Sequence, residues 1–241
     1  MGNVIRSRRD RLRAETIAEI KATALRHLAT GGVAAISLRA IARDMGMTAG
    51  ALYSYYDTRE DLITALVADV YQEMTDAEQA AARTVPVGDP AGKIIAVGLA
   101  YREWAVGNPA GFQLIFGEPI PGYRIPPNSA AAQARDRACA LLDDLVAEAW
   151  PYVTLSAWGR DYTWSDFQPH MVATIRRTHP ELPPAALALA LRIWGRMHGL
   201  VMLEITGHLG SQTTNPAKLF RNEMLDLTRD IGLPPPTVPL D

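Results

Sequence analysis

The chain has 241 residues, 48% of them hydrophobic and 21% charged, with a formal net charge of −2. That length supports one medium core or two small ones at roughly 100–200 residues per domain, and the apolar fraction excludes intrinsic disorder. Eighteen Gly and seventeen Pro are too few for a collagen-like or linker-like chain, and no uninterrupted apolar run approaches the ~18 residues of a membrane span.

The amino terminus, MGNVIRSRRDRLRAE, is basic with no apolar stretch behind it, so it does not read as a secretory signal. The single cysteine, Cys139, has no internal disulfide partner. A reducing cytoplasm is its natural setting, and its Ala/Leu-rich surroundings make it an expected small buried filler. Charge is unevenly placed. Residues 1–60 hold ten Lys/Arg against six Asp/Glu, a balance of +4, whereas the remainder balances at −6. A basic head on an acidic body points the head toward a polyanion. Aromatic residues divide in the same way: the four before residue 100 are Tyr53, Tyr55, Tyr56 and Tyr71, and every Trp and Phe follows later.

Taken in order, nearly every periodic segment predicts a helix. Residues 14–30 place Ile17, Ile20, Ala24 and Leu28 at helical spacing and stop at Gly31-Gly32. Ser37 caps a short helix bearing Leu38, Ile41, Ala42 and Met45, ended by Gly46. Thr48 caps a third, with Leu52 and Tyr56 inward. Thr58 caps a fourth, with Glu60 and Asp61 in the first turn, where the helix dipole favours anions, and Leu62, Leu66, Val70 and Met74 inward. The stretch TVPVGDPAG at 84–92 breaks the pattern and is the expected module junction. Its GDPAGK superficially resembles a phosphate loop, but it has three residues between the glycines and Ile94 where Ser or Thr should hold magnesium. Helices are expected again at 93–108, 109–116, 129–150, 166–178 and 184–209, with a last amphipathic one carrying Phe220, Met224, Leu227 and Ile231. YVTL at 152–155 is the one strand-like run. The tail LPPPTVPLD is expected to be extended and poorly ordered. The prediction is an all-α chain of about nine to ten helices.

Residues 36–63, ISLRAIARDMGMTAGALYSYYDTREDLI, describe two short amphipathic helices joined by a tight turn at Gly46-Met47, the geometry of a helix-turn-helix. With Leu52 and Tyr56 inward, 100° per residue points Gly50 and Ser54 outward, flanked by Ala51 and Tyr53. Such a small outward face lets a helix lie deep in a major groove. Thr48, Tyr53, Tyr55 and Arg59 are placed for phosphates, with Arg39 and Arg43 flanking them. An ordinary helical hairpin accounts for the caps and spacing but not for the basicity or the tyrosines.

The stretch 14–74 resembles the DNA-binding domain of TetR-family transcriptional regulators. The carriers are Ile41-Ala42, the run Thr48-Ala49-Gly50-Ala51-Leu52-Tyr53-Ser54-Tyr55-Tyr56, and Arg59-Glu60-Asp61-Leu62. Ala49 and Ala51 stand where many relatives carry polar side chains, and Tyr56 replaces the commoner Phe. The resemblance implies a DNA-binding domain over 14–74 with its motif at about 37–56. The candidate DNA-contacting set is Ser37, Arg39, Thr48, Ala49, Gly50, Ala51, Tyr53, Ser54, Tyr55 and Arg59. Further on, WGRMHGLVMLEITGHL and NPAGFQLIFG are similar to the WHG-type C-terminal domain of a subset of these regulators. That implies an effector-binding and dimerisation domain over 84–233.

Candidate effector-lining residues are Trp104, Phe112, Phe116, Trp150 and Trp158, together with Trp164, Met171, Trp194, Met197 and His198. Gly195 and Gly199, four apart on one helix face, and the stripe Phe220, Met224 and Leu227 are the candidate dimer interface. His170, His179, His198 and His208 lack metal-ligand spacing, so neither a metal nor a cofactor is expected. The function implied is a ligand-responsive regulator, a repressor binding a near-palindromic operator in double-stranded DNA as a homodimer. It would be released by a small hydrophobic or aromatic effector, with no membrane partner. Alternatives are a dimeric small-molecule sensor with lost or weak DNA binding, and an all-α enzyme using the aromatic cavity. For the enzyme no nucleophile–base–acid set is found.

Overall fold

The computed structural model describes residues 8–154 and 161–237. Within them the chain forms ten α-helices and, among the described residues, no strand: α1 (Arg8–Gly31), α2 (Leu38–Asp44), α3 (Ala49–Tyr53), α4 (Arg59–Thr84), α5 (Pro90–Gly107), α6 (Pro109–Phe116), α7 (Ala130–Ala149), α8 (Pro169–Thr178), α9 (Pro184–Ile205) and α10 (Pro216–Asp230).

The helix starts follow local chemistry. In Asn108-Pro109 and again in Asn215-Pro216, an asparagine accepts a backbone N–H three residues on, and the proline supplies its preset φ where an N–H would be idle. Ser129 serves α7 in the same way through the Ala132 N–H. Thr58 and Asp61 hydrogen-bond reciprocally, Asp61 N–H to the Thr58 hydroxyl and Thr58 N–H to the Asp61 carboxylate, which fixes the start of α4. Before α5, buried Asp89 accepts the Gly92 N–H at 2.7 Å.

Packing divides the chain into two compact units that differ from the modules expected from sequence. One comprises Met1–Tyr71 with Asn108–Ala134, the other Gln72–Gly107 with Arg135–Asp241. The loop at 84–92 is therefore not where they part, and the division falls inside α4. The physical reason in the first unit is that α6 packs on α1, drawing residues 108 onward to the N-terminal helices. Its core joins Ile20, Ala24, Leu28, Ile41, Leu52, Leu62, Leu66 and Phe112. In the second unit α5, α9 and α10 pack on one another. Gly98 leaves room for the Met224 side chain of α10, since a Cβ there would lie 2.8 Å from its sulfur.

Three smaller expectations are corrected. Cys139 is exposed on α7 and is no core filler. The strand-like run at 152–155 begins inside a short 3-10 turn, and Thr154 N–H donates to the Ile231 carbonyl at the end of α10; Leu155 lies outside the described residues. The start of the tail is docked, because Leu233 is buried and both the N–H and the hydroxyl of Thr237 donate to Asp89. Those bonds hold the Asp89 carboxyl below its ordinary pKa, against burial, which by itself would raise it.

Candidate nucleic-acid interface and effector body

The N-terminal unit is braced by polar contacts between its helices. His27 Nε2 on α1 meets the Asp44 carboxylate on α2 at 2.6 Å, and Lys21 on α1 pairs with Asp69 on α4 at 2.6 Å. Ser37 accepts the Ala40 N–H at a long 3.5 Å to cap α2. Gly46 adopts φ 65°, the left-handed conformation that turns the chain sharply, and Met47 N–H then donates to the Ala42 carbonyl. Thr48 caps α3 by accepting the Ala51 N–H at 3.1 Å.

Helix α3 is shorter than the sequence pattern predicted. It ends at Tyr53. The Ser54 hydroxyl bonds back to the Ala51 carbonyl, and both Tyr55 and Tyr56 N–H donate to Leu52, which tightens the last turn. Leu52 is fully buried and sets the helix's bearing. Thr48, Ala49, Gly50, Tyr53 and Ser54 are exposed and Ala51 is half-buried, so the outward face lies where it was expected. A Cβ at Gly50 would meet only open space. Arg39 and Arg43 are exposed on α2. Tyr56 is half-buried, and desolvation, with the Asp69 charge nearby, pushes its phenol up to about 12.

Arg59 is placed differently from its assignment. Its guanidinium donates from Nε to the Ile36 carbonyl at 2.8 Å and from NH2 to the Val33 carbonyl at 2.7 Å. These carbonyls belong to the turn between α1 and α2, so Arg59 ties that turn to the start of α4. The sequence pattern missed the opposite case, Arg13. It donates to the Ser54 carbonyl at 3.2 Å and lies 4.7 Å over the Tyr55 ring. No local signal links positions 41 residues apart. Thr64 and Tyr123, whose hydroxyls meet at 3.1 Å, were missed for the same reason.

The effector candidates divide between the two units. Phe112 is buried in the first, 5.2 Å from Phe116, which packs its edge on Tyr71. In the second, the Tyr101 hydroxyl and His198 Nδ1 are 2.7 Å apart, with Trp104 beside Tyr101 and Trp194 beside His198. Burial lowers the His198 pKa and so favours the neutral ring. Trp104 Nε1 is a buried donor with no acceptor among the described residues. Met197 is buried, Trp150 and Met171 are half-buried, and Trp164 lies under the Arg176 guanidinium. Trp158 lies outside the described residues. Arg102 forms a two-point ion pair with Glu204, a link between α5 and α9 absent from the sequence reading. Glu78 is buried, and desolvation pushes its carboxyl up to about 8.

Three of the dimer candidates are corrected. Phe220, Met224 and Leu227 are buried within the chain itself. The apolar stripe of α10 is turned onto α5 and α9, so it is not presented to a second copy. Gly195 and Gly199 are exposed with open space above them, and Leu191 and Leu203, four residues to either side, continue that face as exposed apolar side chains, with Trp194 exposed on the flank toward His198. By length and composition α9 is apolar enough to cross a membrane, yet it is also the core helix of its unit, with nine buried residues. Beside it a groove of about 240 Å³ runs between α9 and α10, with Arg196 held there between Glu223 and Asp230.

A capped two-helix motif with a small, solvent-facing second helix, braced on α1 and α4, defines a helix-turn-helix DNA-binding protein. Comparison with known proteins gives the family. Residues 20–66 match the family model described as bacterial regulatory proteins, tetR family, and residues 94–227 match the tetracyclin repressor-like C-terminal domain. The chain is 31% identical over 219 residues to the HTH-type transcriptional regulators Rv1816 of Mycobacterium tuberculosis and Mb1846 of Mycobacterium bovis, covering 88% of this chain and 90% of each relative. The crystal structure of the regulatory protein SCO4313 is similar at 36% identity and TM-score 0.72, over 92% of this chain and 98% of that one. A tetR-family regulatory protein from Rhodococcus RHA1 shares the fold at 20% identity and TM-score 0.61, over 91% and 98% of the two chains. The chain belongs to the TetR family of DNA-binding transcriptional regulators, and it is not an enzyme.

Proposed function

We propose that the protein is a ligand-responsive repressor that binds a near-palindromic operator as a homodimer in the cytoplasm. The observation that carries this reading is the outward face of α3. Thr48, Ala49, Gly50, Tyr53 and Ser54 lie open to solvent on a helix anchored by a single buried leucine. Its small side chains suit close approach to base edges and thymine methyl groups, and a Cβ added at Gly50 would meet only open space. Arg39, Arg43 and Tyr53 border it as phosphate-contacting groups. Arg59, bonded to the turn before α2, acts as a positioning residue.

Dimerisation is assigned to the exposed side of α9. Leu191, Gly195, Gly199 and Leu203, each four residues from the next, form one exposed face there, and the two glycines allow a partner helix close in. A two-fold dimer would set two α3 helices about 34–36 Å apart for successive major grooves. The effector is inferred to be a small hydrophobic or aromatic molecule bearing a hydrogen-bond acceptor. The cluster Tyr101, Trp104, Trp194 and His198 favours flat apolar groups, and the Trp104 indole N–H lacks an acceptor among the described residues. Effector binding would bias the separation of the α3 helices through the continuous helix α4, with a coupling of about 1–3 kcal/mol.

Footprinting on the protein's own promoter region tests the reading. A protected near-palindrome, lost when effector is added, is the expected result, and binding without any protected site would refute it. One observation favours a second reading, a dimeric sensor with weak DNA binding: Ala49, Gly50 and Ala51 offer bases no hydrogen-bonding side chain. A salt titration separates the two, because a regulator engaging several phosphates loses affinity steeply as salt rises.

A further inference from the structure

Helix α1 is longer than its packing requires. Its first buried residue is Ile20, yet the chain is already helical at Arg8, so at 1.5 Å per residue about 18 Å of described helix lies ahead of Ile20. Residues 8–15 are all exposed. At 100° per residue the face that buries Ile20 and Ala24 runs back through Ile17 to Arg13 and, one turn further out, to Arg9. The stripe thus changes from apolar to cationic as it leaves the core.

Folding alone gives this extension little reason to be basic. Arg8, Arg9 and Arg11 crowd one exposed stretch of helix, where like charges repel, with Asp10 the one carboxylate among residues 8–14. Among the described residues these three arginines make no ion pair or hydrogen bond. Arg13 differs, because its bond to the Ser54 carbonyl and its place over Tyr55 fix the bearing of the extension against the end of α3. Arg9, four residues before Arg13 on nearly the same face, therefore stands about 6 Å further out along α1 from the point where that helix touches the end of α3.

We infer that the amino-terminal extension of α1 is a second DNA-contacting element, in which Arg8, Arg9 and Arg11 bind backbone phosphates of the same duplex flanking the α3 half-site. This rests on the DNA-binding reading of α3 and extends it to residues ahead of the family-matched region. The occupant is a duplex because the free charges are cations without partners, set beside an exposed face already read as entering a major groove. Their contribution is to affinity and placement, since phosphate contacts carry no sequence information.

The test compares the full chain with the triple variant Arg8→Ala/Arg9→Ala/Arg11→Ala on a fragment of the protein's own promoter. Each residue is exposed and unpaired, so the variant keeps its fold, which circular dichroism checks. The expected result is a flattening of log K against log salt by about two to three units, near 0.9 for each phosphate lost. Footprint protection should shrink at its outer edges while the centre stays protected, and Arg→Lys at the same three positions should restore the slope. An unchanged slope and footprint in the alanine variant, with Tyr53→Ala still weakening binding, would overturn the inference and leave the α3 reading intact. Salt-insensitive binding with no protected centre in the unaltered protein would instead strike the α3 reading itself.

Discussion

The α3 region and the α5–α9–α10 body treat charge and apolar surface in opposite ways. Around α3, apolar residues face one side only, and the polar groups either cap helices or brace them at the surface, as Thr48, Asp61 and Arg59 do. The remaining face sets the small residues Ala49 and Gly50 among the hydroxyls of Thr48, Tyr53 and Ser54. In the body, ionisable groups are taken inward: Arg102 meets Glu204 with both side chains largely covered, and Glu78 is buried. There α9 has apolar residues on its outer side as well as its inner one. The contrast teaches what each end is for. A one-sided helix motif leaves a small, hydroxyl-bearing face for a hydrated, charged duplex, whereas a core helix with exposed leucines on its outer side leaves a surface that another apolar surface covers well.

The largest effect expected is in the body. Arg102→Ala leaves the Glu204 carboxylate covered and uncompensated, and should lower stability by about 3–5 kcal/mol in chemical denaturation. A loss as small as that of an exposed pair would erase the contrast with the α3 region. Glu78 sharpens the same point through pH. Its folded pKa, about 8, stands above the ordinary carboxylate value, so the folded state holds a proton that the unfolded chain releases. Stability should therefore fall as pH rises from about 4.5 toward 8, each pH unit costing up to about 1.4 kcal/mol. Glu78→Gln should remove that slope, leaving the variant the more stable form at pH 8. Denaturation midpoints at the two ends of the range decide this.

Leu191→Asp, on the exposed side of α9, should weaken self-association about 100-fold, or about 2.7 kcal/mol, with monomer stability little changed. Sedimentation measures it, and unaltered association would remove α9 as the partner-facing surface. The smallest effect belongs to the helix-turn-helix. Arg59→Ala frees two carbonyls at a partly exposed turn, where water replaces part of the lost bonding, and should cost about 1–2 kcal/mol of stability. DNA affinity should drop with the salt slope unchanged. A slope flattened by about one unit would return Arg59 to phosphate contact.

Much of this was legible from the amino-acid order because it depends on neighbours in the chain. Ser37, Thr48, Thr58 and the two Asn-Pro starts fix helix ends within three or four residues. The spacing of Ile20, Ala24, Leu28, Leu52 and Leu66 chose the inner faces, and all ten helices follow from such local patterns. The outward residues of α3 were named correctly for that reason, while its length was overstated because a side chain returning to the backbone, Ser54 to Ala51, leaves no periodic trace.

Tertiary packing decided what sequence spacing leaves degenerate. Phe220, Met224 and Leu227 form an apolar stripe that fits a partner chain or an internal core equally well, and only the packing of α10 on α5 and α9 shows them buried within the chain. An arginine after a helix cap serves a phosphate or a carbonyl equally well, until Val33 and Ile36 come within reach of Arg59. Periodicity records which way a side chain points along its own helix, and the identity of whatever waits there is a long-range fact set by the assembled fold.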